Sequence, residues 1–319
     1  MKIVVLERNS VGTDISIEGI TSLGEAVVYP NTVADEVVER IHDAEIIVAN
    51  KVPLNESTLK DAPNVKLICE FATGFDNVDI AYCRSRGIKV ANIVGYSTDS
   101  VAQHTFALCL YVLEKLKRYD DYVKSGTYAA QSRFSNFDLP FFELAGKTWG
   151  IVGMGNIGRK VAQIAAAFGC RVIFYSVTGK SSCTDYERVD FDTLLAESDV
   201  LSLHCPLSDL TRHLINKEAL KKMKSSAVLV NVARGPVVCD EDLYEALVEG
   251  EIAGAGLDVT STEPMKESNP LSRIQDSSRL IITPHMAWAS VEARIRCVNE
   301  TAENIKAFLS GENINIVNL

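Results

Sequence analysis

The chain has 319 residues, which is enough for two domains with separate hydrophobic cores. Its hydrophobic fraction of 47% and charged fraction of 23% are typical of a soluble globular protein, and it contains no apolar run long enough to cross a membrane. The net charge of −10 argues against nucleic acid or an anionic membrane as the main partner. Because the sequence shows neither a secretory apolar segment nor a membrane-spanning run, we expect a cytoplasmic protein.

Strands and helices alternate over residues 1–97, which predicts a small parallel α/β domain. One predicted strand ends at a glycine-containing loop, residues 71–77. Ligands bind at loops beyond the carboxyl ends of parallel strands, and the backbone N–H groups of Thr73, Gly74 and Phe75 could hold a carboxylate. An ordinary turn explains this loop equally well. The predicted strands are 3–6, 44–49, 65–69 and 88–90, and the predicted helices are 33–42 and 54–60.

A long helix is predicted over residues 97–119, where the chain passes from one domain to the next. His104 lies one turn into this helix, and a packed or capping histidine is a better interpretation there than a catalytic one. Residues 119–146 are polar and aromatic without a clean period, which predicts a loop-rich arm at a subunit interface. The apolar face of the helix consists of Val101, Leu108, Val112 and Leu116.

Residues 148–176 combine a strand, a glycine turn, an amphipathic helix and a second strand. Gly153, Gly155 and Gly158 follow the spacing G-x-G-x-x-G. The first glycine permits a tight turn, the second lets a pyrophosphate approach the backbone, and the third allows close packing of helix and strand. The start of the helix also offers N–H groups and a positive dipole end to phosphates. The motif in this context favours a dinucleotide site over a purely structural turn.

The alternation continues after this unit, with predicted strands at 200–203, 227–232, 254–259 and 280–283. It predicts a second doubly wound sheet of about six strands. A last helix begins after Ser290 and ends before Gly311, and we expect it to pack on the first domain. The predicted fold is therefore α/β with two doubly wound parallel sheets, a Rossmann cofactor domain (98–285) inserted into a flavodoxin-like substrate domain (1–97 and 286–319).

Three strand ends of the second domain each carry one reactive side chain, namely Arg234, Glu263 and His285. An arginine fork binds a carboxylate and polarises a neighbouring carbonyl. A histidine can donate a proton to that carbonyl oxygen while a hydride reaches its carbon, and a glutamate can orient the imidazole. Each residue alone also has a structural explanation, but their joint position beside a dinucleotide turn favours interconversion of 2-oxo and 2-hydroxy acids.

The cofactor is NAD or NADP, and the residues leave this choice open. The second strand of the glycine unit ends at Ser176, where an NAD enzyme usually carries an acid for the ribose 2′-hydroxyl. Ser176 cannot repel a 2′-phosphate, and Thr178 and Lys180 could bind one. The eight scattered cysteines form no C-x-x-C pair, so no metal is expected. Further predicted cofactor contacts are Asn156, Ile157, His204, Cys205, Pro206, Thr211, Val232, Ala233, Asp258 and His285.

Over essentially its whole length the chain resembles the D-isomer-specific 2-hydroxyacid dehydrogenases. The resemblance implies homodimers, a preference for NAD, and a cofactor domain inserted into a substrate domain. It implies that Arg234 binds substrate, that Glu263 is the partner of the histidine, and that His285 is the acid/base. It also places Asp258 near the nicotinamide amide and residues 73–75 near the substrate carboxylate. The matching stretches are GMGNIG at 153–158, NVARGPVV at 231–238, GAGLDVTSTEP at 254–264 and TPHMAWAS at 283–290.

Within that family the chain is most similar to the hydroxypyruvate reductase or glycerate dehydrogenase branch. Trp288 would then close the substrate pocket over a small 2-oxo acid, although a packed aromatic is an equal alternative. D-lactate and other D-2-hydroxyacid dehydrogenases use the same catalytic parts and remain a second candidate. NAD(H)-sensing corepressors share the fold but carry long tails, so they are a distant alternative. The segments closest to this branch are 71–79, 95–108 and 285–290.

Overall fold

The computed structural model describes all 319 residues, which form two compact units. The first unit consists of Met1–Ser97 and Trp288–Leu319, and the second of Thr98–Ala287. The sequence analysis placed the second boundary slightly earlier, between residues 285 and 286. Every strand pair in both units is parallel, which confirms the predicted fold class. None of the described helices is both long and apolar enough to span a membrane.

The first unit has a five-stranded sheet in the order β2-β1-β3-β4-β5, as in flavodoxin-like folds. Strand β2 was not predicted from the sequence; it lies at the edge of the sheet, and none of its residues is buried although Ala26, Val27 and Val28 are apolar. The strands are β1 (Lys2–Val5), β2 (Glu25–Val28), β3 (Ile46–Ala49), β4 (Leu67–Glu70) and β5 (Lys89–Ala91). The helices are α1 (Glu18–Thr21), α2 (Val37–Ile41), α3 (Glu56–Leu59), α4 (Ile80–Ser85) and the last helix of the chain, α11 (Val291–Leu309).

Helix α11 completes the core of the first unit, as expected from the sequence. Ser290 caps its start by accepting a hydrogen bond from the backbone N–H of Ala293 (3.2 Å). Cys297 and Ile305 on its inner face are fully buried in the same cluster as Ile3 of β1. Because this helix covers one face of the first sheet, the two chain segments of this unit depend on each other for burial.

The second unit has a seven-stranded sheet in the order β12-β11-β10-β9-β6-β7-β8. Sequence analysis predicted about six strands; it missed the two-residue, exposed edge strand β8. The strands are β6 (Thr148–Val152), β7 (Arg171–Tyr175), β8 (Glu187–Arg188), β9 (Val200–Leu203), β10 (Val228–Asn231), β11 (Gly254–Leu257) and β12 (Leu280–Ile282). The helices are α5 (Thr98–Leu113), α6 (Leu116–Lys124), α7 (Asn156–Ala167), α8 (Phe191–Glu197), α9 (Lys217–Lys222) and α10 (Asp240–Glu249).

The strand order of this sheet reverses between β6 and β9, because β7 and β8 follow β6 toward one edge whereas β10, β11 and β12 follow β9 toward the other. In open α/β sheets such a switch point leaves a crevice at the carboxyl ends of the strands, where nucleotides bind. Strands β9 and β10 are buried at every residue, as expected for central parallel strands covered on both faces. The fold therefore directs attention to the residues that follow β6, β7, β9, β10, β11 and β12.

The single long helix predicted over residues 97–119 is wrong, because the structure divides it. Helix α5 ends at Leu113, and Lys115 adopts a left-handed conformation with φ of 57° before α6 begins. The Lys115 ammonium donates a hydrogen bond to the carbonyl of Ser278 (3.0 Å), a contact distant in sequence. Leu116, which was predicted on the buried face, is 46% exposed as a result of the break.

Candidate active site

The glycine turn between β6 and α7 has the geometry of a phosphate-binding loop. Gly153 has φ of +94°, and a Cβ there would lie 2.9 Å from the backbone nitrogen of Cys205. A Cβ on Gly158 would lie 2.2 Å from the carbonyl oxygen of Gly153. A Cβ on Gly155, in contrast, would meet nothing within 4 Å. Two glycines thus serve close packing, and the third leaves open space at the start of α7.

The N-terminus of α7 faces that space without a competing side chain. Gly155 is the N-cap residue, so no side chain accepts a hydrogen bond from the first backbone N–H groups of the helix, which belong to Asn156 and Ile157. These groups and the positive end of the helix dipole suit a pyrophosphate. The residues present therefore fit a dinucleotide.

His204, directly after β9, carries a buried polar atom that has no partner in the protein. The indole N–H of Trp149 donates to Ser202 Oγ (2.9 Å), and Ser202 Oγ lies 3.0 Å from His204 Nε2. Burial lowers the pKa of His204 to about 3, so its ring is neutral. The serine hydroxyl can then donate to Nε2, which places the ring hydrogen on Nδ1. Since Nδ1 is buried and unpartnered, it is available to a group bound beside Gly153.

The loop after His204 is held in shape by Thr211. The Thr211 hydroxyl donates to the carbonyl of Pro206 (2.7 Å) and accepts from the backbone N–H of Ser208 (2.8 Å). Cys205 is buried, and its backbone abuts Gly153. Thr211 thus shapes the loop with its hydroxyl, and direct contacts of Cys205, Pro206 and Thr211 with the cofactor stay predictions.

The segment after β7 is rich in hydroxyl groups and cations. Ser176 is buried and its Oγ accepts from the backbone N–H of Ser181 (3.3 Å). The guanidinium of Arg159 donates to Ser182 Oγ (3.3 Å), and Lys180 is exposed. The first carboxylate along this segment is Asp185. The position that holds an acid in many NAD enzymes is therefore neutral here, with positive charge nearby.

Glu263 and His285 form the central pair of the site. His285 Nδ1 lies 2.7 Å from Glu263 Oε2, and Glu263 Oε1 accepts from the backbone N–H of Thr260 (3.3 Å). His285 is left-handed, with φ of 53°, and its N–H donates to the carbonyl of Asp258 (2.8 Å). The carboxylate thus determines the orientation of the imidazole, so that Nε2 is the ring nitrogen directed away from Glu263.

Asp258 supports the segment that carries His285. Its carboxylate accepts hydrogen bonds from the Thr283 hydroxyl and from the backbone N–H groups of Met286 (2.9 Å) and Ala287 (2.8 Å). Burial alone would raise the pKa of Asp258, but hydrogen bonds from His104, Thr283 and these N–H groups together hold it below its usual value. Asp258 therefore remains a carboxylate and fixes the loop around His285. Its contact with a nicotinamide amide stays a prediction.

His104 is a packed, hydrogen-bonded histidine, as its sequence context indicated. Its Nε2 lies 2.9 Å from Thr283 Oγ1 and 3.5 Å from Asp258 Oδ1. It ties α5 to the end of β12. The sequence alone offered no signal for this link, because the two partners are distant in the chain.

Arg234 lies at the end of β10, on a turn built by Asn231. The Asn231 side chain accepts from the N–H of Ala233 and donates to the carbonyl of Arg234, both at 3.0 Å. A Cβ on Gly235 would lie 1.8 Å from the carbonyl oxygen of Thr260, so the arginine turn packs directly on the loop of Glu263. The structure thus pairs Glu263 with His285 and brings the Arg234 turn against the same loop. Val232 precedes this turn and is half-buried.

The predicted substrate residues of the first unit follow β4. The Thr73 hydroxyl donates to the carbonyl of Ile93 (2.6 Å), and Asn92 donates to the carbonyl of Thr73 (2.7 Å). The backbone N–H groups of Thr73, Gly74 and Phe75 donate to no other group of the chain, which makes them available to an anion.

Trp288 packs on the core of the first unit and meets Tyr96 edge to face, with ring centroids 6.3 Å apart. This is the packing that sequence analysis considered as the alternative to a pocket role. Closure of a substrate pocket by this side chain stays a prediction.

Comparison with known proteins adds the family. The model of the D-isomer specific 2-hydroxyacid dehydrogenase, NAD binding domain, matches residues 106–287. A hydroxypyruvate reductase of Blautia hydrogenotrophica is 39% identical over 100% of both chains. A glycerate dehydrogenase of Methylorubrum extorquens is 39% identical over 99% of this chain and 98% of its own.

Two solved structures have the same fold over nearly the whole chain. The D-lactate dehydrogenase from Aquifex aeolicus, complexed with NAD and lactic acid, has a TM-score of 0.88 and 31% identity, and covers 100% of this chain and 99% of its own. The NADPH-dependent glyoxylate/hydroxypyruvate reductase from Sinorhizobium meliloti, with NADP and malonate, has a TM-score of 0.83 and 28% identity, and covers 99% and 96%.

Proposed function

The chain belongs to the D-isomer specific 2-hydroxyacid dehydrogenases, and on that premise we propose that it reduces hydroxypyruvate or glyoxylate to the 2-hydroxy acid with NADH or NADPH. It is an oxidoreductase acting on CH–OH donors, and the recognition of this family from sequence is confirmed. The observation that carries the proposal is the hydrogen-bonded pair of Glu263 and His285 beside the Arg234 turn, on the sheet edge that also holds the glycine loop.

The catalytic roles follow from the chemistry of three side chains. A dinucleotide held at the glycine loop and the start of α7 would supply the hydride that the carbonyl carbon of the substrate receives. Arg234 holds and polarises the 2-oxo acid through its planar guanidinium. His285 donates a proton to the carbonyl oxygen, so that the carbon gains a hydride and the oxygen a proton. Glu263 keeps the imidazole in the orientation that this transfer needs.

We assign the substrate carboxylate to the free N–H groups of Thr73, Gly74 and Phe75 in the first unit, supported by their lack of partners within the chain. Trp288 lies in the same unit and is assigned to the wall of the substrate pocket. Both assignments come from the resemblance of these stretches to the family.

We further propose a cytoplasmic homodimer that associates through the arm, predicted over residues 119–146, which is helical as far as Lys124 and contains no helix or strand beyond it. The arm exposes large aromatic side chains, and exposed apolar patches of this kind mark association surfaces. The eight unpaired cysteines fit a reducing compartment. The exposed aromatics are Phe134, Phe137, Phe141 and Phe142.

A substrate panel tests the proposed function. Hydroxypyruvate, glyoxylate, pyruvate, phenylpyruvate and 2-oxoisocaproate are each assayed with NADH and with NADPH. We expect kcat/KM for hydroxypyruvate or glyoxylate to exceed that of the other acids by about tenfold or more, equivalent to about 1.4 kcal/mol of transition-state binding. A panel led by pyruvate or a bulkier acid would instead favour the D-lactate dehydrogenase alternative, and no turnover would favour a nucleotide-sensing protein.

A further inference from the structure

Glu70 immediately precedes the proposed substrate loop, residues 71–77, and its carboxyl group is enclosed by the protein. It is the last residue of β4, and its side chain is fully buried. Its Oε1 accepts one hydrogen bond, from the side-chain amide of Asn77 (3.2 Å), and its Oε2 has no partner. A buried carboxylate with one oxygen unsatisfied is costly, so the neutral acid is the form that suits this site.

Asn77 connects Glu70 to the far end of the loop. Its side-chain amide also donates to the carbonyl of Val52 (3.0 Å), and its backbone carbonyl accepts from the N–H of Leu54 (2.9 Å). The carbonyl of Phe75, within the loop, accepts from the N–H of Val78 (3.0 Å). The near end of the loop is held separately by Asn92 and Ile93, as described above. The side chain of Glu70 is thus hydrogen-bonded to the loop through Asn77.

The charged groups around Glu70 come from the neighbouring strand ends. The Glu7 carboxylate, after β1, accepts from the backbone N–H groups of Asn50 and Lys51 (both 2.8 Å). Burial, as the largest effect, raises the pKa of Glu70 to about 8, and the charge of Glu7 acts in the same direction. The hydrogen bond from Asn77 and the charge of Lys51 oppose it. The Cys69 thiol is the remaining titratable neighbour, and burial raises its pKa far above neutrality.

We propose that Glu70 is a positioning residue for substrate binding, which holds the loop through Asn77 while its carboxyl is neutral and loosens the loop when it ionises. In the neutral form Oε1 accepts from Asn77 and Oε2 carries the proton. Ionisation leaves a buried charge with a single donor, so water must enter or the side chain must move, and Asn77 moves with it. The inference rests on the proposed function, which assigns the substrate carboxylate to residues 73–75.

The kinetic test compares the wild type with Glu70→Gln, a neutral isostere, and with Glu39→Gln on the exposed face of α2 as a matched control. KM and kcat for the best substrate are measured from about pH 6.5 to about pH 9. The ratio of wild-type KM to Glu70→Gln KM should be near one at the acid end and about tenfold at the alkaline end, since one unit above the pKa about a tenth of Glu70 remains neutral. The ratio of kcat values should stay constant, and Glu39→Gln should follow the wild type. Effects of pH on groups that all variants share cancel in these ratios. A KM ratio that does not change with pH overturns the proposal.

A second measurement needs no substrate and separates this inference from the proposed function. Amide hydrogen exchange of Leu54 and Val78, whose N–H groups donate to the loop carbonyls of Asn77 and Phe75, should lose protection between about pH 7 and about pH 9 in the wild type but not in Glu70→Gln, after correction for the intrinsic rate at each pH. Asn77→Ala removes the link itself and should give a high KM and weak protection at every pH. If protection of the loop is independent of Glu70, the inference fails while the substrate panel still stands. If protection responds as expected but the panel shows no turnover, the proposed function fails instead.

Discussion

At the candidate active site, hydrogen bonds to both the side chain and the backbone fix the position of His285. Glu263 binds its Nδ1, and Asp258 holds the backbone on both sides of it, through a carbonyl and a buried carboxylate. A left-handed histidine is costly without such support, so the surrounding hydrogen bonds stabilise an otherwise unfavourable conformation. At this scale function depends on contacts that bring distant residues together.

Replacing His285, the proposed acid/base residue, should separate chemistry from cofactor binding. His285→Ala should lower kcat by about 10²–10⁴-fold, the usual contribution of a positioned proton donor, and change the Kd for NADH by about twofold or less. Steady-state kinetics and fluorescence titration check the two quantities. His213→Ala is the matched control, because His213 is also left-handed, with φ of 51°, and is exposed. Near-normal turnover in His285→Ala would disprove the proposed mechanism.

Ser176 should influence the choice between the two cofactors. We expect the kcat/KM of the wild type with NADPH to be no lower than about a tenth of its kcat/KM with NADH, because the segment after β7 carries cations and no acid before Asp185. Ser176→Asp should lower kcat/KM for NADPH by about tenfold or more, through repulsion of the 2′-phosphate, with little effect on NADH. The NADH rate is the internal control. A wild-type preference for NADH of about a hundredfold would contradict this prediction.

The buried Glu70 should make stability fall with rising pH. Its folded-state pKa, about 8, is above the ordinary value of 4.5, so between those values the folded protein holds a proton that the unfolded chain has lost. The contribution of Glu70 to the free energy of unfolding is fully present below about pH 4.5 and is lost as the pH rises toward about 8. Above that pH it no longer changes. Glu70→Gln should therefore gain about 2–4 kcal/mol over the wild type between about pH 5 and about pH 8.5 in urea unfolding. A pH-independent difference would show that Glu70 is already ionised in the folded protein.

At the scale of elements, the glycines of the strand–turn–helix unit β6–α7 have two different roles, close packing and open space for a ligand. Gly153 and Gly158 are required by packing, whereas Gly155 borders open space. The helix break at Lys115 is not visible in the local spacing, because the apolar positions continue to residue 116. In the structure Lys115 is left-handed and its ammonium donates to the carbonyl of Ser278, which is distant in the chain.

This division makes a prediction for two alanine variants. Gly155→Ala should keep the stability of the wild type within about 1 kcal/mol, because its Cβ meets nothing, yet weaken NADH binding by about tenfold or more. Gly158→Ala should lower both stability and the affinity for NADH, since its Cβ would clash with the Gly153 carbonyl. Thermal unfolding and fluorescence titration give the two quantities. Gly19→Ala, whose nearest neighbour is Ala302 Cβ at 3.8 Å, is the control. Equal losses of stability in both cofactor-loop variants would refute this division.

For the whole molecule, each unit buries its own sheet, and the first unit is built from two separate chain segments. Its C-terminal helix must return after the entire second unit has been made, so its core depends on long-range contacts. The arm exposes aromatic side chains that the core of a single chain does not bury.

The arm supplies the test of the proposed assembly. Phe134 is 89% exposed and Phe137 is 73% exposed, so replacing both with serine should convert a dimer to a monomer while leaving the fold of each chain intact. Light scattering after size exclusion measures the mass, and circular dichroism checks the fold. Leu319→Ser, which alters a 77% exposed apolar residue of the first unit, is the control. A wild type that is monomeric at all concentrations would rule out the homodimer.

The sequence by itself determined the fold class, the family and the positions of Arg234, Glu263 and His285, because periodic apolar runs, glycine spacing and local motifs are properties of short stretches. Only the tertiary structure decided which side chains meet. It broke the helix at Lys115, joined Asp258 to the backbone around His285, and buried Glu70, which precedes the loop at 71–77. Each of these features depends on contacts between residues far apart in the chain and on burial, which raises the cost of an unpaired charge or polar group. Long-range contacts and burial cannot be read from a local sequence pattern.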